Sequence, residues 1–192
     1  MIAASRLARA MLLGALSLTP LGDAAARTLE GVARPPAPVV VDAELRSVDD
    51  RPVRFRREVL GRAVTLVSFT FIGCRVQCPI SDTYVTQVET DLAARGRSDI
   101  RLVTLTIDPD NRPEDLRRFA MQFDPGPSRT FLTGSFQELV PLLDGLGMQF
   151  GSVSDHALFF LVFDKQGRFV ARLDEAEATP ETLAATLLAV PR

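Results

Sequence analysis

Residues 64–79 read VTLVSFTFIGCRVQCP, an apolar run followed by two cysteines and a proline. The first part, residues 64–72, is rich in β-branched and aromatic side chains, which is typical of a strand covered on both faces of a sheet. Pro79 suits the first turn of a helix. Apolar side chains then recur at every fourth position, at Ile80, Tyr84, Val88 and Leu92. The stretch therefore predicts a central strand, a short loop that holds both cysteines, and an amphipathic helix.

Strands and helices alternate through the rest of the chain. Further strands are predicted at residues 100–107, 130–132, 157–163 and 168–173, and further helices begin near Pro113, Ser135 and Thr179. The last two strands form a hairpin. This order predicts an α/β fold in which a mixed sheet is flanked by helices.

Three finer features of the fold are also predicted. Residues 39–41 and 53–55 form a β-hairpin that precedes the central strand as an N-terminal extension. Asn111 caps the second helix. Phe136 faces the core from the third helix.

The size and charge of the chain suit one folded domain. It has 192 residues, of which 46% are hydrophobic and 24% charged, so the chain is expected to fold. Its net charge of −2 argues against nucleic-acid binding through a general basic surface. The chain has two cysteines and one histidine, so any thiol or soft-metal chemistry must use Cys74, Cys78 and His156.

The N-terminal segment has the pattern of an export signal. Residues 1–9 carry two arginines and no acid, residues 10–21 form an apolar run, and three alanines at 24–26 suit cleavage. The apolar run is shorter than the roughly 20 residues that a spanning helix needs. A cleaved signal at residues 1–26 is therefore favoured over a retained membrane anchor.

The predicted signal is followed by a proline-rich linker at residues 27–38, and the folded domain spans residues 39–192. Export predicts a periplasmic location. Because that compartment is oxidising, a disulfide between the two cysteines is one of the states to consider.

Cys74 and Cys78 lie where the predicted strand passes into the predicted helix. Free N–H groups and the helix dipole at the N-terminus favour a Cys78 thiolate. Four-residue spacing can bring both sulfurs to one side of the turn, close enough for a disulfide or a shared metal ion. Two thiolates suit Cu(I), with zinc as the usual competitor. A structural disulfide is poorly motivated, because the loop it closes is short.

His156 is the residue that can complete a metal site. It immediately precedes the apolar strand predicted at residues 157–163, so it lies at a strand end rather than within the core. Two cysteines and a histidine form a three-coordinate site for Cu(I). A lone histidine is also often a hydrogen-bonded structural residue, so both roles stay open on the residues alone.

Residues 68–79 resemble the Cys-x-x-x-Cys-Pro motif of the Sco/SenC family, and two later segments agree with it. Thr-Ile-Asp-Pro at residues 106–109 is similar to that family's strand ending in Val-Asp-Pro. Asp155-His156 precedes an apolar strand and an Asp-x-x-Gly turn, as in the family. Its members are thioredoxin-like copper proteins linked to cytochrome c oxidase assembly. The resemblance therefore implies a thioredoxin-like mixed sheet.

The resemblance also implies a site and a role. Cys74, Cys78 and His156 are implied as copper ligands, with Asp108 close to them. The implied partner is the oxidase subunit that carries the dicopper centre, with other copper or thiol-redox proteins as further partners. In this role the protein delivers copper to that centre, or its two cysteines act as a thiol reductant for the cysteines of the centre.

The segment between the cysteines departs from the family pattern. Arg75-Val76-Gln77 stands where the family commonly has Pro after the first cysteine and Asp-Val before the second. The positive charge of Arg75 disfavours a bound cation and favours the alternative function, a thioredoxin-like thiol–disulfide oxidoreductase that uses the two cysteines. Against this alternative, no proline between Pro141 and Pro180 can take the place of the cis-proline of thioredoxins, and His156 lies at the equivalent position.

Overall fold

The computed structural model describes residues 36–74, 77–148 and 158–191. The predicted signal at residues 1–26, nearly all of the predicted linker and His156 lie outside the described residues. Ala37–Arg192 form one compact unit. Within the described part of the chain, no helix is both long enough and apolar enough to cross a membrane.

Seven strands of the described residues form one mixed sheet. In chain order they are β1 Glu44–Ser47, β2 Pro52–Arg54, β3 Val64–Thr70, β4 Ile100–Thr106, β5 Arg129–Thr133, β6 Phe159–Phe163 and β7 Phe169–Asp174. Across the sheet the order is β2-β1-β5-β4-β3-β6-β7. The three strands β3, β4 and β5 are parallel, whereas the other pairs are antiparallel.

The described residues also form four α-helices. They are α1 Gln77–Ala94, α2 Pro113–Ala120, α3 Phe136–Gly145 and α4 Pro180–Ala189. A single wide helical turn, Phe55–Leu60, precedes β3, and a short 3₁₀ turn, Met121–Phe123, continues α2. The mixed sheet flanked by helices that the sequence predicts is confirmed.

β3 is the central strand that its composition predicts. All seven of its residues are buried, and it pairs in parallel with β4 from Val64 opposite Ile100 to Thr70 opposite Thr106. On its other side it pairs antiparallel with β6. Helices cover both faces of this part of the sheet, which is why residues 64–72 lack the alternation of a half-exposed strand.

Apolar side chains pack on both faces of β3. On one face Val67 and Phe69 pack in a cluster with α3 and the turn Phe55–Leu60. On the other face Leu66 packs with Val85 of α1 and with side chains of α4. Each large apolar side chain buried in this way contributes about 2 kcal/mol, so the two clusters hold the helices in place on either side of the sheet.

The chain segments that bear candidate site residues lie at one end of the sheet, where the parallel strands have their carboxyl ends. This end is here called the carboxyl edge. Because parallel strands share a direction, Thr70, Thr106 and Thr133 end their strands at this same edge. β6 runs antiparallel to β3, so it begins at the carboxyl edge with Phe159. Functional groups of open α/β sheets gather at such an edge.

The N-terminal β-hairpin is confirmed, but its first strand lies later in the chain than predicted. β1 pairs antiparallel with β2 and joins the sheet beside β5. Residues 39–41 are not in a strand. The backbone N–H of Val39 donates instead to the Gly145 carbonyl oxygen at 2.7 Å. The prediction for residues 39–41 is wrong because this segment is tied to the end of α3 rather than to the sheet.

Two further side chains lie elsewhere than predicted. Asn111 is not the cap of α2, whose N-terminal cap residue is Arg112. The Asn111 side chain bonds instead with Thr106 and Asp108. Phe136 is 55% exposed and does not face the core. It is the first residue of α3, and the buried face of that helix begins later, with Leu139.

The buried face of α1 also differs from the predicted apolar stripe. The helix begins at Gln77, so Pro79 is its third residue. Ile80 belongs to the predicted stripe but is 44% exposed. In the first turns of α1 the buried residues include Cys78, Ser81, Asp82 and Val85. Polar side chains therefore occupy part of the face that periodicity assigns to apolar ones.

A buried polar network explains why polar side chains occupy the buried face of α1. Asp82 forms an ion pair with Arg129 of β5, and neither side chain is accessible to solvent. Asp82 Oδ2 accepts a hydrogen bond from Thr70 Oγ1 at 2.9 Å. Arg129 also donates to Thr86 Oγ1 at 3.0 Å and to Thr104 Oγ1 at 3.2 Å. The network thus joins α1 to all three parallel strands.

Breaking this ion pair from one side should destabilise the fold. Asp82→Leu leaves the Arg129 guanidinium buried without its counter-charge, and we expect the free energy of unfolding in urea to fall by about 3–5 kcal/mol. The double variant Asp82→Leu/Arg129→Leu removes both buried charges. It should recover most of the lost stability, because well-packed apolar residues replace a buried pair at little cost.

Asp91→Leu is the matched control for this experiment. Asp91 lies on the same helix, but its ion pair with Arg95 is largely exposed. The control should lose less than about 1 kcal/mol. If Asp82→Leu and Asp91→Leu lose the same amount, the buried pair does not hold α1 on the sheet.

Candidate functional site

Both cysteines lie at the carboxyl edge, in the loop after β3 and the first turn of α1. The backbone N–H of Cys74 donates to the Phe71 carbonyl oxygen at 2.9 Å, which closes a turn directly after the strand. Cys78 is the second residue of α1. The two cysteines are not joined by a disulfide, and Cys74 is partly exposed, whereas Cys78 is 7% exposed.

The N-terminus of α1 acts on the sulfur of Cys74. The backbone N–H of Cys78 donates to Cys74 Sγ at 3.3 Å. An N–H group at a helix N-terminus that points at a sulfur stabilises negative charge on it. The arrangement therefore favours a thiolate at the more accessible of the two cysteines.

Cys78 has the opposite environment. Burial raises the pKa of the Cys78 thiol to about 12, and a hydrogen bond with the Cys74 side chain adds to the rise, against a backbone hydrogen bond with Phe71. The negative charge of Asp82 acts in the same direction as burial. The expectation that the helix N-terminus makes Cys78 the favoured thiolate is wrong. The Cys78 side chain is buried, and burial disfavours the charged form of the thiol.

Two adjacent thiols support two kinds of chemistry. As thiolates they are soft ligands, and this donor type fits Cu(I) well. In the oxidised form they are joined by a disulfide, which exchanges with the thiols of a partner protein. The hydrogen-bonded pair of Cys74 and Cys78 fits both, since the two side chains are already in contact.

Asp108 lies in the turn after β4, at the same edge. Its carboxylate accepts hydrogen bonds from the Asp110 N–H at 2.9 Å and from the Asn111 side-chain amide at 3.0 Å. These contacts hold the Asp108 carboxylate within its own turn. Proximity of Asp108 to a metal stays a prediction.

His156, the third predicted ligand, lies outside the described residues. The described chain resumes at Leu158, and β6 begins at Phe159. Among the described residues, no group of three or more histidine, cysteine, aspartate or glutamate side chains is placed to hold a metal ion. The structure therefore brings Cys74 and Cys78 together, and ligation by His156 stays a prediction.

Sequence reasoning misses two buried polar residues close to Cys78. Ser81 and Asp82 are 1% and 0% exposed, respectively. They follow Cys78 by three and four positions in the helix, and residues with this spacing lie on one helix face. That spacing is the signal in the sequence that could have identified Ser81 and Asp82 as buried, because they share a helix face with the buried Cys78.

Comparison with known proteins identifies the family that this chain resembles. The SCO1/SenC family model matches residues 35–190. A sequence search of curated proteins finds no match.

Solved structures of Sco proteins share the fold of this chain. Yeast Sco1 with copper bound is 21% identical, with 80% of this chain and 92% of that chain covered and a TM-score of 0.67. Bradyrhizobium japonicum ScoI with copper bound is 20% identical, with 80% and 99% covered and a TM-score of 0.66. BsSco, a Sco-family cytochrome c oxidase assembly protein with a disulfide switch, is 21% identical, with 82% and 96% covered and a TM-score of 0.67. The predicted thioredoxin-like mixed sheet is confirmed.

The two thiols should differ in their rates of alkylation. Because alkylation needs a thiolate that the reagent can reach, iodoacetamide at pH 8 should modify Cys74 about tenfold faster than Cys78 in the reduced protein. Labelling of Cys78 should still increase up to pH 10, since its pKa is raised to about 12. Trypsin cleaves after Arg75, so mass spectrometry assigns the label to each cysteine on a separate peptide.

The protein unfolded in urea is the control, and there both cysteines should react at similar rates. Equal rates in the folded protein, or faster labelling of Cys78, would contradict the conclusion that the helix N-terminus stabilises a thiolate at Cys74.

Proposed function

The chain belongs to the SCO1/SenC family, and we propose that it is an exported copper-binding protein that serves maturation of the dicopper centre of cytochrome c oxidase. The observation that carries this proposal is the hydrogen-bonded pair of Cys74 and Cys78, which are not joined by a disulfide, at the carboxyl edge. The copper-bound structures of yeast Sco1 and Bradyrhizobium japonicum ScoI support copper as the ligand.

Cys74, Cys78 and His156 are the proposed copper ligands. Two thiolates and an imidazole form a donor set that suits Cu(I), and the imidazole is also acceptable to Cu(II). Asp108, in the turn after β4, is proposed to interact with a ligand rather than with copper itself, because carboxylates commonly orient metal-bound imidazoles.

The unequal environments of the two cysteines suit a protein that passes copper on. Cys74 is partly exposed and Cys78 is buried, so a thiolate of a partner protein would bind the copper ion and displace Cys74 before Cys78. Stepwise exchange of soft sulfur ligands then moves the cation between the two proteins. The proposed partner is the oxidase subunit with the dicopper site, and other copper or thiol-redox proteins are further candidates.

The proposed location is the periplasm. Residues 1–26 combine a basic start, an apolar run and small residues, which is the composition of a secretory signal. Copper delivery to an oxidase requires a chaperone on the same side of the membrane as the dicopper centre, and an exported domain meets this requirement.

A thiol–disulfide oxidoreductase is the second candidate function. The observation that favours it is the hydrogen bond from the Cys78 N–H to Cys74 Sγ, because a stabilised thiolate on the exposed cysteine is the nucleophile of disulfide exchange. In this reaction Cys74 attacks a partner disulfide and releases one partner thiolate. Cys78 then attacks Cys74, which releases the second partner thiol and leaves the Cys74–Cys78 disulfide.

A Cu(I) competition titration of the reduced protein tests the proposed ligands. We expect one Cu(I) per chain, at least about tenfold weaker binding for His156→Ala, and loss of tight binding for Cys78→Ser, because each substitution removes a ligand. Met121→Ala is the matched control, since Met121 is a soft donor that is 72% exposed, and should bind like the wild type. Equal affinities of the wild type and His156→Ala would eliminate the three-ligand site.

An assay of disulfide reduction in a dicopper-domain substrate separates the two candidate functions. For a copper carrier, His156→Ala should lose copper transfer, and the rate of disulfide reduction should be low for the wild type as well. Full copper-independent reduction by both the wild type and His156→Ala, abolished in Cys74→Ser, would favour the oxidoreductase.

A further inference from the structure

Ser81 presents a buried hydroxyl without a hydrogen-bond partner. Among the described residues, Ser81 Oγ is the buried side-chain oxygen for which the structure provides no donor or acceptor. The residue is 1% exposed, so bulk water does not satisfy the hydroxyl. An unsatisfied buried polar group is costly, and its presence in a folded protein calls for an explanation.

The three threonine side chains of α1 behave differently. Thr83, Thr86 and Thr90 each donate to the backbone carbonyl oxygen four residues earlier, at 2.7, 2.9 and 3.0 Å. This local bond is the usual way in which a helix satisfies a serine or threonine. Ser81 does not form it, so its hydroxyl is kept available for another acceptor.

The position of Ser81 indicates which acceptor this is. Ser81 follows Cys78 by three residues in α1, and side chains with this spacing have Cβ atoms about 5–6 Å apart on one helix face. Cys78 is buried on that face as well. In the copper-free structure the Ser81 hydroxyl has no partner among the described residues, so it does not bond to the Cys78 sulfur in this state.

The remaining buried donors near Cys78 are already engaged. Thr70 Oγ1 donates to Asp82 Oδ2, and the Arg129 guanidinium donates to Asp82 and to two threonine hydroxyls. The Cys78 N–H donates to Cys74 Sγ. Ser81 is therefore the hydroxyl donor on this helix face that has no other assignment among the described residues.

We propose that Ser81 is a positioning residue that donates a hydrogen bond from its Oγ to the Cys78 sulfur when that sulfur binds Cu(I). Binding of Cu(I) by both cysteines forms two Cu–S bonds and releases to solvent whatever protons the two sulfurs carried, with no change in oxidation state. The sulfur of Cys78 then carries negative charge in a buried place, and hydrogen bonds to charged acceptors are stronger than those to neutral ones. The inference rests on the proposed copper-binding function.

Ser81→Ala in the full-length protein tests the proposal, with Thr83→Ala as the matched control. Thr83 loses a hydroxyl from the same part of α1, but that hydroxyl is exposed and bonded to Pro79. Competition titration with Cu(I) should give about tenfold weaker binding for Ser81→Ala and unchanged binding for Thr83→Ala, as expected for one hydrogen bond to a charged acceptor.

Two copper-free measurements distinguish this role from a structural one. The stability of reduced, copper-free Ser81→Ala in urea should equal or exceed that of the wild type, because the substitution removes an unsatisfied hydroxyl. The dithiol–disulfide equilibrium with glutathione at pH 7 should be unchanged, since the proposed hydrogen bond forms when the Cys78 sulfur binds Cu(I) and the Ser81 hydroxyl has no partner among the described residues of the copper-free protein.

Each outcome has a defined meaning. If the wild type does not bind Cu(I), the proposed function fails. If the wild type binds and Ser81→Ala binds equally well, the function stands and the role of Ser81 is overturned. A clear loss of copper-free stability in Ser81→Ala, or a shift of its glutathione equilibrium as large as its change in copper affinity, also overturns the role.

Discussion

The ion pair between Asp82 and Arg129 holds α1 against the sheet and so determines where the two cysteines meet. Both side chains are inaccessible to solvent, and the surrounding threonines extend the network to β3 and β4. Cys78 lies one helical turn before Asp82, and Cys74 lies four residues after the end of β3. The same network joins the helix that bears Cys78 to the strand that precedes Cys74. A buried pair of this kind requires both partners, since one charge alone is strongly destabilising.

The helix N-terminus then makes the two cysteines unequal. Its N–H group at Cys78 donates to Cys74 Sγ, so the stabilised negative charge belongs to the sulfur that a partner reaches. The Cys78 thiol is buried, with its pKa raised to about 12. The Cys74 sulfur is thus an accessible nucleophile or ligand, whereas the buried Cys78 thiol loses its proton only when another bond to its sulfur replaces the S–H bond. The proposed binding of Cu(I) would do so directly, and the Ser81 hydroxyl lies on the same helix face.

Most of the fold follows from patterns that the sequence displays. The apolar run of β3 predicts a central strand, and Pro180 at the start of α4 predicts a helix that the structure contains. The errors on α1 concern side chains whose surroundings are distant in the chain. Ile80 fits the apolar period but is exposed, whereas Asp82 breaks the period and is buried, because its partner Arg129 lies on β5. Periodicity describes one helix and contains no information about the strand against which it packs.

The sequence by itself determined that Cys74 and Cys78 lie at a junction between a strand and a helix, because a β-branched apolar run precedes them and a proline follows. It also identified the family motif. The tertiary structure alone decided which sulfur accepts the helix N–H and which thiol is buried. The physical reason is that hydrogen-bond direction and desolvation depend on the packing of α1 on the sheet, and that packing joins residues far apart in the chain, among them Asp82 and Arg129.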